Sequence, residues 1–218
     1  MSMRAALTSL IGLAAAMTLL AGAPAGAMPV QEVTAAPAPT VPSTDGRPRE
    51  ARLSVPALGV SGLRVVPYVG TPDDRPGTVI QDRGSAAAPH GSGGLVGPGG
   101  VGNYLVTGHR SSSTAPFRAL PSLRIGALVV VVTDTHRLVY EVVGTRRTSF
   151  RSERSLREQS AAVPGRPGLA PTRAMITLST CATFEDHAAG NYWSDEFDNP
   201  EHRIDKIGVL VQTSPAPA

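Results

Sequence analysis

The chain has 218 residues, enough for one domain with appendages, and 41% of them are hydrophobic. Its 20 Lys and Arg against 17 Asp and Glu leave a formal charge of +3, and the basic residues are scattered rather than gathered on one stripe, which argues against a nucleic-acid binder. Cys181 is the single cysteine, so no disulfide forms within the chain and the thiol is a candidate reactive group.

Residues 1–27 open with Arg4, continue through the apolar run Ala5 to Ala23 and end in Ala25-Gly26-Ala27, the pattern of an export signal. The segment is expected either to be cleaved after Ala27 or to stay in the bilayer as an anchor, since about 20 apolar residues suffice to span it. Either outcome puts the rest of the chain outside the cytoplasm, at the cell surface, tethered or secreted. Residues 28–50, rich in Pro, Ala, Thr and Val without apolar periodicity, are expected to act as an extended tether. A folded domain is expected over 51–213, followed by an unstructured tail at 214–218.

Within the domain, segments rich in β-branched residues and separated by Gly and Pro lie at 52–58, 63–69, 78–81, 103–107, 127–133, 138–148, 174–180 and 204–212. They predict an all-β domain. Two short helical pieces are expected, at 115–123 and 152–160. Segment 127–133 (ALVVVVT) lacks polar alternation and is expected to be buried on both faces, whereas 138–148 mixes polar and apolar residues as a half-exposed strand does. A closed barrel accommodates both, and a sandwich remains open at this point. The stretch 91–102 (GSGGLVGPGGVG) lacks the terminal Gly-Lys-Ser/Thr of a phosphate-binding loop and is read as a flexible surface loop.

A thiol is an effective nucleophile only beside a base or cation. His109 follows strand 103–107 within TGHR, and Cys181 follows strand 174–180 within TLSTC, so two strand ends on one barrel rim would bring them together. His90, His136, His187 and His202 sit in loop-like settings, and no pair of them has a compact metal-ligand spacing with Cys181. Arg203 begins the last apolar strand, HRIDKIGVLV. There it faces the same rim as a permanently charged donor for a developing oxyanion, or is a surface arginine at a strand entrance.

TGHR at 107–110, TLSTC at 177–181 and an arginine opening the closing strand, in that order, resemble the three signature segments of the sortase family. The resemblance is to the actinobacterial type, class E-like, although Thr107 stands where a major actinobacterial subgroup usually has Tyr. RLSVPALGVSGLRVVPYV at 52–69 is similar to the family's first strands, and APFRALPSLRIGALVVVV at 115–132 resembles the segment after its catalytic histidine. The resemblance implies an all-β fold, a closed eight-stranded β-barrel with one or two short helices. It also implies a cysteine transpeptidase that recognises a sorting signal of the Leu-Pro-x-Thr-Gly kind. Cys181 would form a thioester at the Thr carbonyl, His109 would protonate the leaving amine and activate the incoming one, and Arg203 would hold the substrate backbone and oxyanion. Thr180 resembles the family's substrate-contacting threonine. The implied partners are surface proteins bearing a sorting signal, a peptidoglycan-precursor or pilin amine acceptor, and the membrane if the N-terminal segment is uncleaved. This chemistry requires no metal or organic cofactor, and the chain has no EF-hand pattern.

Between Cys181 and Arg203, residues 183–202 hold Phe184, Tyr192, Trp193 and Phe197 together with six acids and no Lys or Arg. Aromatics are placed where they bury area, so Trp193 and its neighbours are expected to form a wall or lid of the groove with the acids outward. A loop that only closes the domain's own core is the alternative. A papain-type peptidase, with its cysteine opening a helix ahead of the histidine, has the reverse order. A non-catalytic binding module with an inert cysteine leaves the pairing of TGHR with TLSTC unexplained.

Overall fold

The computed structural model describes residues 41–217, and the segment expected to be the export signal lies outside them. Eight strands run as β1 (Ala51–Val55), β2 (Val60–Val69), β3 (Ala86–His90), β4 (Gly102–Thr107), β5 (Leu128–Val132), β6 (His136–Ser149), β7 (Ala174–Cys181) and β8 (His202–Pro215). They close into a barrel in the order β1-β2-β3-β4-β7-β8-β6-β5. The pairs β2/β3 and β4/β7 are parallel and the others antiparallel. Closure leaves no sheet edge and resolves the choice between barrel and sandwich.

Three helices decorate the barrel: α1 (Arg75–Asp82), α2 (Glu153–Gln159) and α3 (Thr183–Ala188). Parallel neighbours need a crossover, and α1 supplies the one between β2 and β3. The segment 78–81, expected as a strand from its Thr, Val and Ile, is part of α1. The Asp74 side chain accepts a hydrogen bond from Gly77 N, and a proline stands in the first turn; these start signals outweigh β-propensity over so short a stretch. The strand missing from the expected set is β3, whose sequence AAAPH carries no β-branched residue. The expected helix at 152–160 is α2, capped by Ser152, while 115–123 holds only a 3-10 turn at Leu120–Ser122.

Leu53, Val65, Val106, Leu138, Ile176 and Leu178 meet in the barrel interior, each fully or almost fully buried. Each contributes roughly 1.5–3 kcal/mol over an exposed equivalent. β5 departs from the expectation of two-faced burial. Val129 and Val131 are buried inside the barrel, but Val130 and Val132 are half-exposed and Leu128 is exposed, because the wall of a barrel has one inner and one outer face.

The glycine-rich stretch is not a loose surface loop. Gly97 to Gly100 are buried, and residues 44–47 of the expected tether lie along them: Gly97 N donates to Gly46 O at 2.7 Å and Thr44 N to Gly99 O at 2.9 Å. A Cβ at Gly97 would fall 2.0 Å from Arg47 O, so the backbones approach this closely only without a side chain. At the other end β8 runs to Pro215, two residues into the expected tail.

Candidate active site

Two ladders converge on one rim of the barrel. In the parallel ladder β4/β7 the last pair is Thr107 with Ser179. The match continues past it, as Gly108 N donates to Ser179 O at 3.1 Å and the Thr180 hydroxyl donates to Gly108 O at 2.7 Å. His109 and Cys181 therefore each stand two residues beyond paired positions on neighbouring strands. In the antiparallel ladder β7/β8, Cys181 is paired directly with Arg203. The long connection between these two residues is taken up by α3 and the loop after it, so it does not separate them in space.

Gly108 is the hinge of this arrangement. A Cβ there would sit 2.7 Å from Cδ2 of Phe117, a fully buried ring whose own N–H is bonded to His109 O. The His109 side chain is largely enclosed, and its Nε2 lies 2.8 Å from Asp82 Oδ1 at the end of α1. Because a carboxylate only accepts, Nε2 carries the proton in this contact.

Cys181 is half-buried, and its Sγ lies 3.8 Å from Asn199 Oδ1. Burial pushes its thiol up to about 11; the Arg203 charge pulls the other way, while Asp73 and Asp195 add to the rise. Arg110 Nη1 donates to the Cys181 carbonyl at 3.3 Å, its guanidinium also bonds Glu185, and it stacks 5.0 Å over the Phe184 ring.

Arg203 has no solvent exposure. Its Nε donates to Asp73 Oδ2 at 2.7 Å, its Nη1 to the carbonyls of Pro200 and His202, and its plane stacks 3.8 Å over Phe150. Nη2 is buried without a partner among the described residues. Asp73 holds this pose from a left-handed backbone, φ 57°, and its other oxygen accepts from Gln81 Nε2, which also donates to the Thr107 hydroxyl. A threonine at 107 thus closes a polar chain that runs from the TGHR segment to the arginine.

Of the residues singled out from sequence, the structure brings His109, Cys181 and Arg203 to one rim. Thr180 is buried with its hydroxyl turned to Gly108 O, so here it ties the two motif strands together. Trp193 is half-buried, with Arg151 5.7 Å from its ring. The aromatic segment is not uniformly lid-like, because Phe184 and Tyr192 are exposed. Its acids do not all face outward either: Asp186 is buried, bonded to Arg147 and to His202 Nδ1. His202 is accordingly a hydrogen-bond partner of a buried carboxylate rather than the solvated residue expected. Asp73, Asp82 and Asn199 were not foreseen, since each reaches the site from a loop or helix end with no sequence motif around it. A groove of about 570 Å³ is lined by Thr71, Ser92, Leu156, Ala161, Leu169 and their neighbours, none of them a residue of the rim described above. Among the described residues no group of three or more His, Cys, Asp or Glu is placed to hold a metal ion.

No curated protein matches the chain. The fold is shared with several solved structures. The SrtA sortase from Actinomyces oris is 22% identical, with 81% of this chain and 88% of that one covered at a TM-score of 0.58. Sortase E1 from Streptomyces coelicolor, solved with a tripeptide in its active site, is 23% identical over 80% and 94% of the two chains at a TM-score of 0.57. The SrtF sortase from Corynebacterium diphtheriae is 18% identical over 84% and 94% at a TM-score of 0.55. The family model of the sortase domain matches residues 53–193, more than half of the chain, and spans both TGHR and TLSTC. The chain belongs to the sortase family, a family of cysteine transpeptidases.

Proposed function

We propose that this sortase cleaves a sorting signal of the Leu-Pro-x-Thr-Gly kind through a thioester on Cys181 and transfers the acyl group to an amine. The observation that carries the reading is the double register: Cys181 opposite Arg203 in one ladder and level with His109 in the other. In the first half-reaction the Cys181 thiolate adds to the Thr carbonyl carbon, forming a C–S bond. The C–N bond to Gly breaks, and His109 gives a proton to the departing amine. In the second, an incoming amine adds to the thioester and loses a proton to His109, and the thiolate leaves. Arg203 supplies donor capacity for the oxyanion in both halves, which the unpartnered Nη2 supports, since a buried donor without an acceptor is costly unless a ligand meets it. The apolar groove lined in part by α2 suits the aliphatic part of the signal.

The export pattern in residues 1–27 supports work outside the cytoplasm on surface proteins, with a peptidoglycan-precursor or pilin amine as acceptor. Among the described residues no helix is long and apolar enough to cross a membrane. The test is intact-mass spectrometry after mixing the domain with sorting-signal peptides and then with amine acceptors. A mass increase equal to the N-terminal peptide fragment, discharged by amine and absent in Cys181→Ala with an unchanged melting temperature, is expected. Cleavage that persists in Cys181→Ala overturns the proposal.

A further inference from the structure

Asn199 is buried, and its carboxamide stands between two groups of different character. On one side, Nδ2 donates to Asp195 Oδ2 at 3.2 Å; on the other, Oδ1 faces Cys181 Sγ at 3.8 Å. The orientation of an amide follows from its partners. A carboxylate can only accept, so the end facing Asp195 is the NH2 and the end facing sulfur is the carbonyl oxygen. Asp195 is itself fixed, its Oδ1 accepting from the backbone N–H groups of Phe197 and Asn199. The same loop carries Pro200, whose carbonyl holds Arg203 Nη1, so one short segment grips both the nucleophile and the arginine.

We propose that Asn199, oriented by Asp195, is a positioning residue that holds Cys181 as the neutral thiol in the resting enzyme by accepting its S–H. The proposal rests on the sortase reading of the site and goes beyond it. A carbonyl oxygen favours S–H and opposes a thiolate, whereas the turned-over amide would present N–H and favour the thiolate. Other charged groups that bear on the thiol include Arg203 across β8, Asp73 behind that arginine and Asp195 behind the amide. Arg110 on the Cys181 carbonyl, with its partner Glu185, and His109 with Asp82 on the neighbouring strand end complete the set. Asp73 and Asp195 act in the same direction as the Asn199 oxygen, and Arg203 against it. The chemical sense of such a hold lies in the location: oxidants attack the thiolate, so a nucleophile kept as thiol outside the cytoplasm survives between encounters.

The test needs no sorting signal. Alkylation of Cys181 by iodoacetamide is followed by mass spectrometry from pH 6 to 11 in the folded protein, for wild type, Asn199→Leu and Asp195→Asn, with a thermal melt of each at pH 8. Leucine fills the volume of the amide without its oxygen. Asparagine at 195 lets the 199 amide turn its NH2 to sulfur. Both variants are expected to alkylate about tenfold faster than wild type at pH 8, the effect of moving the alkylation midpoint down by about one unit, while melting cooperatively. A midpoint unchanged in folded Asn199→Leu overturns the proposal even if Asp195→Asn moves it, since loss of the Asp195 charge by itself lowers the midpoint; if Asn199→Leu fails to melt cooperatively, Asn199→Ala decides in its place. Peptide cleavage measured in parallel separates the two readings. Wild-type cleavage with an unmoved midpoint overturns the role of Asn199 alone, and absent cleavage with a shifted midpoint overturns the sortase reading alone.

Discussion

Arg203 is held by partners that differ in kind: a carboxylate on Nε, two backbone carbonyls on Nη1 and an aromatic face beneath its plane. Only a planar fork meets all of these and keeps a donor in reserve. Arg203→Lys is therefore expected to lower kcat/KM for peptide cleavage by about 100-fold or more, the usual scale for losing an oxyanion donor. Survival of activity in Arg203→Lys together with its loss in Arg110→Lys would move the role to Arg110, which bonds the Cys181 carbonyl. Gly108 carries a second expectation at this scale. With a Cβ 2.7 Å from the buried Phe117 ring, Gly108→Ala should cost about 1–3 kcal/mol in urea unfolding and displace His109. Adding Phe117→Leu should return part of the stability by making room, and an undiminished stability in Gly108→Ala alone would contradict the packing.

α2 is attached to the barrel by Ser155 and Glu158, which accept from Ser149 N and Arg146 in β6, and by Gln159. Gln159 is buried, and its Nε2 donates to Ser179 Oγ in β7 and to Asp205 Oδ1 in β8. Gln159→Leu would leave the buried Asp205 carboxylate short of a donor, so a loss of about 1–3 kcal/mol is expected in denaturant unfolding. Because α2 also lines the apolar groove, a rise in KM for the peptide should accompany it. The elements best legible in the sequence were those whose β-branched residues alternate or run together, β2 and β4 to β8. β3 was not, since alanines pack tightly in a barrel wall yet carry no propensity signal. α1 was hidden by its own Thr, Val and Ile, and α3 by its brevity. The candidate site divides along the same line. His109, Cys181 and Arg203 stand at strand ends, which sequence pattern locates. Asp73 meets Arg203 across 130 residues and Asp82 meets His109 across 27, from elements whose placement depends on barrel closure.

For the molecule as a whole, the buried carboxyl of Asp205 sets a pH dependence of stability. Burial raises its pKa above the ordinary value, opposed by hydrogen bonds from Thr148, Ser179 and Gln159. The folded state then holds this proton more tightly than the unfolded chain, so the contribution is complete below the unfolded value near 3.8 and is lost as pH rises through the folded one. The stability advantage of wild type over Asp205→Asn should accordingly shrink as pH rises above the unfolded value near 3.8 in chemical unfolding. A difference that grows over that range would reverse the assignment. Closure of the barrel has a further consequence, one of timing. β8 lies between β7 and β6 in the wall and is the last strand in chain order, so the ring stays open until Pro215 has been synthesised. Up to that moment Cys181 has no partner strand on one side and the arginine's cage does not exist. A nascent chain arrested before His202 carries its thiol on an open sheet and is unable to act as an enzyme. The order of strands thereby makes the active site wait on the arrival of β8.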